Sequence, residues 1–309
     1  MGALLAFAAI VIAVQYGRLG GPAPPIVPPG APPEGVQLVY ARNPANAHGL
    51  VAYDWSGNRR GVITFPTWVD IGRLRPAPNG SGFMLDPASQ DDYAAYFDRY
   101  AHTVFETNEQ SFVSQAWADD STHVCVYTSE GDLLTRDPGR PDRVAHARLV
   151  DQFTVVACSL RSDLAVLASS DRIEVVRLST GESLRGAGIA FSGPVVASTD
   201  GRFFVVTGGG GAKDIFATSN LSTPVGHLDA ALNPLAFSSD DALLLAGQES
   251  GSGPLEAVAW RSGSVAWRYG AGTAGVELVV ARPSAPDFAI YVGAELVIVH
   301  RDGKSVQIG

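Results

Sequence analysis

The chain has 309 residues, 46% of them apolar and 17% charged, with 22 Lys+Arg against 31 Asp+Glu for a net charge of −9, which describes a packed protein and not a disordered one. An acidic excess has the wrong sign for holding a phosphate backbone by counterion release, so no nucleic-acid partner is expected. Two cysteines, Cys125 and Cys158, are too few for a disulfide scaffold or a cysteine-built metal centre.

In chain order, the first feature is an apolar run, Leu4–Val14, inside a stretch without charge from Gly2 to Tyr16. Its length lies between the roughly 7–15 residues of a signal-peptide core and the roughly 20 of a membrane span. Residues 1–19 read as an uncleaved single-pass anchor, since no small-x-small cleavage site directly follows Val14. A cleaved signal that releases a secreted or periplasmic protein is the alternative. Residues 20–35 follow, with Pro22, Pro24, Pro25, Pro28, Pro29, Pro32 and Pro33. This spacing favours extended polyproline II, a semi-rigid stalk that would hold a domain off the outer face of a membrane. Only Lys213 and Lys304 are lysines, an arginine bias typical of GC-rich, bacterial coding sequence.

From residue 36 to 309, apolar runs of four to seven residues alternate with turn residues, an all-β pattern. One element recurs: an apolar run, a turn holding Asp or Asn, and a second apolar run. Its turn residues are Asn79, Asp120, Asp163, Asp200, Asp240 and Asp287, separated by 41, 43, 37, 40 and 47 positions. A period near 42 is the length of a four-stranded propeller blade. Each unit continues with a third strand, a tight turn and a fourth strand, as in Leu296–Val306 and Ile173–Glu182. In that frame Ala94–Val104 is also a strand, a turn and a strand, although Ser89, Asp92, Tyr93, Tyr96, Phe97 and Tyr100 alone have the spacing of a capped amphipathic helix. The runs Val36–Ala41, Leu50–Trp55 and Val62–Phe65 align with the second, third and fourth strands of later units, with no first strand before them. The expected architecture is seven blades with an incomplete first blade; six blades with an accessory sheet is the alternative. The last blade supplies its own fourth strand, Ser305–Ile308, so closure by a strand shared between the termini is not visible.

The Ser-x-Asp-Gly turn, with Val-Arg-Leu-Ser-Thr-Gly-Glu at 176–182 and Tyr-Asp-Trp-Ser-Gly-Asn at 53–58, resembles the WD40-like and TolB-like β-propellers. The resemblance spans residues 36–309, but the Gly-His and Trp-Asp dipeptides of strict WD40 repeats are absent. It implies a non-catalytic surface for protein partners, in the manner of propellers that serve as assembly platforms.

Few residues point to chemistry. His48, His102, His123, His146, His227 and His300 are scattered over the repeats without metal-ligand spacing, and no Gly-x-Ser-x-Gly elbow occurs. Thr207–Asp214 is glycine-rich like a phosphate loop, but it lacks the Gly-Lys-Ser/Thr ending and reads as a hairpin loop. No catalytic residue, metal ligand or cofactor is therefore assigned. The turn carboxylates read as acceptors for backbone amides two residues on; the competing reading is a lactonase- or lyase-like enzyme with a divalent metal on the axis. Cys125 and Cys158 lie in apolar runs and are expected as small buried thiols, with one bridge between them left open. Charge is uneven: Ser81–Asp132 holds ten acids against Arg99 alone, whereas Arg42, Arg59, Arg60, Arg73 and Arg75 make the first unit basic. Asp86, Asp91, Asp92, Asp98, Glu106, Glu109, Asp119 and Asp120 are thus a candidate acidic face for a cationic partner.

Overall fold

The computed structural model describes residues 30–33, 35–86, 94–107, 112–140, 143–170, 172–185, 193–208, 210–251, 253–270, 276–292 and 295–308. The expected anchor (1–19), most of the stalk, and Ser89, Asp91, Asp92, Tyr93 and Glu109 lie outside them. Among the described residues no helix is long and apolar enough to cross a membrane.

Blade one comprises β1 (Leu38–Arg42), β2 (Gly49–Asp54) and β3 (Arg59–Thr64), and blade two β4 (Leu74–Pro76), β5 (Gly82–Leu85), β6 (Ala94–Asp98) and β7 (Thr103–Thr107). Blade three holds β8 (Phe112–Trp117), β9 (Val124–Thr128), β10 (Asp132–Arg136) and β11 (Arg143–Arg148). Blade four holds β12 (Thr154–Ser159), β13 (Leu164–Ala168), β14 (Ile173–Arg177) and β15 (Ser183–Arg185). Blade five holds β16 (Val196–Ala197), β17 (Phe203–Thr207), β18 (Lys213–Ala217) and β19 (Gly226–Leu228). Blade six holds β20 (Leu232–Phe237), β21 (Leu244–Gln248), β22 (Leu255–Ala259) and β23 (Ser264–Tyr269). Blade seven holds β24 (Val276–Ala281), β25 (Phe288–Val292), β26 (Glu295–Val299) and β27 (Ser305–Ile308). Every blade is an antiparallel meander of consecutive strands, as expected for a propeller.

The sequence pattern follows from burial on both faces. Successive side chains on a strand point to opposite sides of the sheet. Val205 and Ile215 therefore pack with Leu232, Phe237 and Leu244 of blade six, while their neighbours Phe204, Val206 and Phe216 pack with Val166, Ile173 and Val175 of blade four. Seven such clusters join each blade to the next, and the last joins Ala289, Leu296, Ile298 and Ile308 of blade seven to Val39, Ala41 and Trp55 of blade one. The ring has seven blades, and the six-bladed alternative falls away. Second strands such as β9 (Val-Cys-Val-Tyr-Thr) are buried at every position, whereas fourth strands such as β11 (Arg-Val-Ala-His-Ala-Arg) face solvent. Blade packing also resolves the helix-like pattern: β6 is a strand, with Tyr96 on the side of blade three and Phe97 on the side of blade one.

The two cysteines depart from the expectation of free thiols. Cys125 on β9 and Cys158 on β12 form a disulfide between blades three and four, with Cα atoms 6.1 Å apart. Both are buried, so the bridge lies inside an inter-blade core cluster. Local periodicity cannot reveal this, because the two residues meet only when one blade stacks on the next.

Blade one lacks a first strand among the described residues. Its β2–β3 turn, where Asp54 N donates to Asn58 O and Gly57 N to Asp54 O, repeats the β26–β27 turn, where His300 N donates to Lys304 O and Gly303 N to His300 O. The three strands are therefore the second, third and fourth of a blade. The chain enters along the outer edge, where Val62 N of β3 donates to Gly30 O at 3.0 Å.

Candidate interaction site

The repeat turns join first to second strands at one end of the ring. Asn79 Oδ1 accepts from Ser81 N, Asp120 Oδ1 from Thr122 N and His123 N, Asp200 Oδ1 from Arg202 N, and Asp240 Oδ1 from Ala242 N. Asp163 and Asp287 instead reach the turn between third and fourth strands, accepting from Ser179 N and Arg301 N. All six side chains accept a backbone amide, the role expected of turn residues. Four histidines pair with carboxylates: His102 with Asp98, His123 with Asp120, His227 with Asp214 and His300 with Asp287. Among the described residues no group of three His, Cys, Asp or Glu side chains could hold a metal ion.

One further turn carboxylate escaped the sequence pattern. Asp241 is 1% exposed, has φ +55°, and meets Arg202 of the neighbouring blade at 2.8 Å. Burial, then the nearby Asp200, push its pKa up to about 6 against the pull of Arg202. Asp240 next to it is held below the ordinary range, because hydrogen bonds from Ser238 and Ala242 outweigh its burial.

The structure divides the candidate acidic residues between the two ends of the ring. Asp98, Asp119 and Asp120 lie at the turn end, and Asp119 binds Ser159 Oγ (2.7 Å) and Leu160 N (2.9 Å) across the boundary with blade four. Asp86 follows β5 at the opposite end and is ion-paired with Arg75 at 2.9 Å. Glu106 is on the outer strand β7.

A different site emerges where blade one has no first strand among the described residues. A cleft of about 210 Å³ lies between blades seven and two, lined by Tyr40, Ala41 and Arg42 of β1, Leu74, Arg75 and Pro76 of β4, Leu278 of β24 and Tyr291 of β25. β1 forms its back wall, and one of its edges pairs with no strand among the described residues. Asn43 N donates to Gly49 O at the end of the β1–β2 hairpin, so the odd-numbered residues of β1 bond to β2. Tyr40 and Arg42 consequently aim their backbone groups into the cleft, whereas the Leu38 edge lies against Gly80 of blade two. The Tyr40 N–H, which in a complete blade would meet a first-strand carbonyl, donates to the phenolic oxygen of Tyr291 at 3.2 Å. Burial raises the pKa of the Tyr291 phenol above its ordinary value. The walls are mainly apolar and the rim is basic. Arg42 is exposed, and its guanidinium has no hydrogen-bond partner among the described residues.

Seven antiparallel blades, six of four strands and one of three among the described residues, stacked in a ring define a β-propeller as the class of molecule. No family model matches the sequence, and no curated protein does. Among solved structures, the chain is similar to the β-propeller domain of Cps50 (Swd1) from Myceliophthora thermophila, with a TM-score of 0.56 over 88% of this chain and 93% of that one. At 13% identity the likeness is one of fold alone.

Proposed function

We propose that the protein is a non-catalytic propeller of the WD40-like or TolB-like kind that binds other proteins while tethered by residues 1–19 to the outer face of a bacterial cell membrane. The observation that carries the binding role is the cleft: an unpaired strand edge between apolar walls suits a polypeptide better than a small polar substrate. The turn carboxylates support it too, since each is already engaged with backbone amides. The buried disulfide suits an oxidising, extracytoplasmic compartment. Acids of blades two and three, Asp98 and Glu106 among them, offer cationic partners a second surface.

The test has two arms. Membranes are extracted with alkaline carbonate and intact spheroplasts are treated with protease; the propeller should stay with the membrane and be cut from outside. Cross-linking in those membranes should then join the native protein to specific envelope proteins, in lower yield for Arg42→Glu. A carbonate-soluble protein, or calcium-dependent lactone hydrolysis by the purified full chain, would overturn the reading.

A further inference from the structure

We infer that the cleft of blade one is a strand-acceptor site, completed by an extended, β-branched apolar segment of a partner protein that carries a carboxylate near its N-terminal end. This rests on the binding reading above and names its site and ligand class.

The geometry supplies direction and register. An incoming strand bonds to the cleft-facing edge of β1, at Tyr40 and Arg42, and as a first strand it runs antiparallel to β1. Its N-terminal end therefore lies beside Arg42. Blade seven shows the same relation, with Val276 opposite Val292 and Ala281 opposite Phe288. The other first strands show what fits between two blades: Val-Glu-Leu-Val-Val-Ala in β24 and Thr-Val-Val-Ala-Cys-Ser in β12. Alternate side chains of the ligand would meet Leu278 and Tyr291 on one wall and Leu74 on the other, all lining the cleft.

Charge decides the polar end. Arg73 donates to Asp86 O and Arg75 pairs with Asp86, whereas Arg42 has no hydrogen-bond or ion-pair partner among the described residues, with Asp70 across Gly72. A carboxylate at the N-terminal end of the ligand would meet Arg42, and β24 carries Glu277 as its second residue. The Tyr291 hydroxyl holds the edge in the absence of a ligand by accepting the Tyr40 N–H, and must give way to a strand carbonyl. Main-chain hydrogen bonds would supply affinity, and the alternating pockets selectivity.

The test uses the full chain in detergent and a fluorescent Gly-Ser-flanked peptide with the β24 sequence Val-Glu-Leu-Val-Val-Ala. Saturable binding is expected, weakened at least tenfold when the peptide Glu is changed to Lys. Arg42→Glu in the protein should invert that preference, and because Arg42 is exposed the variant keeps its fold. Leu278→Trp, which fills the cleft, should abolish binding, and Tyr291→Phe should tighten it. Hydrogen exchange at Arg42 should slow when peptide is added. Absence of binding, or binding indifferent to Arg42→Glu, overturns the proposal. An Arg42 amide already protected without peptide overturns it in favour of the chain's own residues, or of a second copy if protection grows with protein concentration. Cross-linked envelope partners that persist while the peptide fails to bind leave the binding reading standing and remove only this site.

Discussion

The disulfide between blades three and four yields the most quantitative expectation. Cys125 and Cys158 are 33 residues apart, and closing a loop of that length removes about 12.5 cal/mol/K from the unfolded chain, or about 3.7 kcal/mol at 25 °C. Replacing either cysteine by alanine breaks the same bond, so Cys125→Ala, Cys158→Ala and the double variant should each lose roughly that amount, with strong non-additivity. For a propeller of roughly 270 residues the melting temperature should fall by about 6 °C. Urea unfolding of the three variants, with and without reductant, measures this. The reasoning is refuted if the double variant loses less than about 1 kcal/mol or if the two single losses simply add. Two reactive thiols in the denatured, unreduced protein would refute the bridge itself.

Three other tests probe the turns. Gly131 has φ +88° and an added Cβ would lie 2.1 Å from Leu149 O, so Gly131→Ala should cost about 2–4 kcal/mol in urea unfolding. At Gly139 the nearest atom is Asp137 Oδ1 at 3.4 Å, so Gly139→Ala should cost far less. Asp241, with its pKa raised to about 6, holds its proton more tightly folded than unfolded. Its stabilising contribution is complete below pH 3.8 and is lost as pH rises through about 6, an effect of at most about 3 kcal/mol. Asp241→Asn should remove that slope from the pH profile of the melting temperature. Asp120, whose pKa is lowered because hydrogen bonds from Thr122 and His123 outweigh burial, acts in the opposite sense: its contribution is present above pH 3.8 and lost on further acidification. Asp119→Ala removes the bonds to Ser159 and Leu160 and should cost about 1–3 kcal/mol.

The repeat was legible because its signal is local. Each turn carboxylate binds an amide within its own blade, and each second strand carries a continuous run of apolar residues because both faces of a blade are covered. The missing first strand of blade one was legible for the same reason, as an apolar run with no partner before it. Features that depend on the stacking of blades were not. Cys125 and Cys158 give no sign of their 6.1 Å approach, since the period places them in different units. The acidic cluster pooled residues that a meander sends to opposite ends: Asp86 and Asp98 lie at the two ends of the β5–β6 pair. The cleft needed both facts together, an absent strand and two neighbouring blades that do not collapse into its place.

That cleft adjoins the seam where the ring closes. At the other six boundaries the backbone runs from one blade to the next, so separating the blades also requires stretching a loop. Between blades seven and one, among the described residues, no strand is shared and no connection crosses. Closure rests on Ile308, Ile298 and Ala289 packed against Val39, Ala41 and Trp55, on the Tyr40–Tyr291 bond, and on Ser284 Oγ donating to Gln37 at 2.7 Å. Opening this seam therefore costs little more than one inter-blade cluster. Ile308→Ala, at a site 8% exposed, should destabilise the chain by about 2–4 kcal/mol. In hydrogen exchange it should accelerate blades one and seven while leaving blade four unchanged. Equal acceleration around the ring would mean that the seam is no weaker than the other boundaries. A strand bound in the cleft packs against both blade seven and blade two, so it should oppose the same opening and slow exchange at β1 and β25 together.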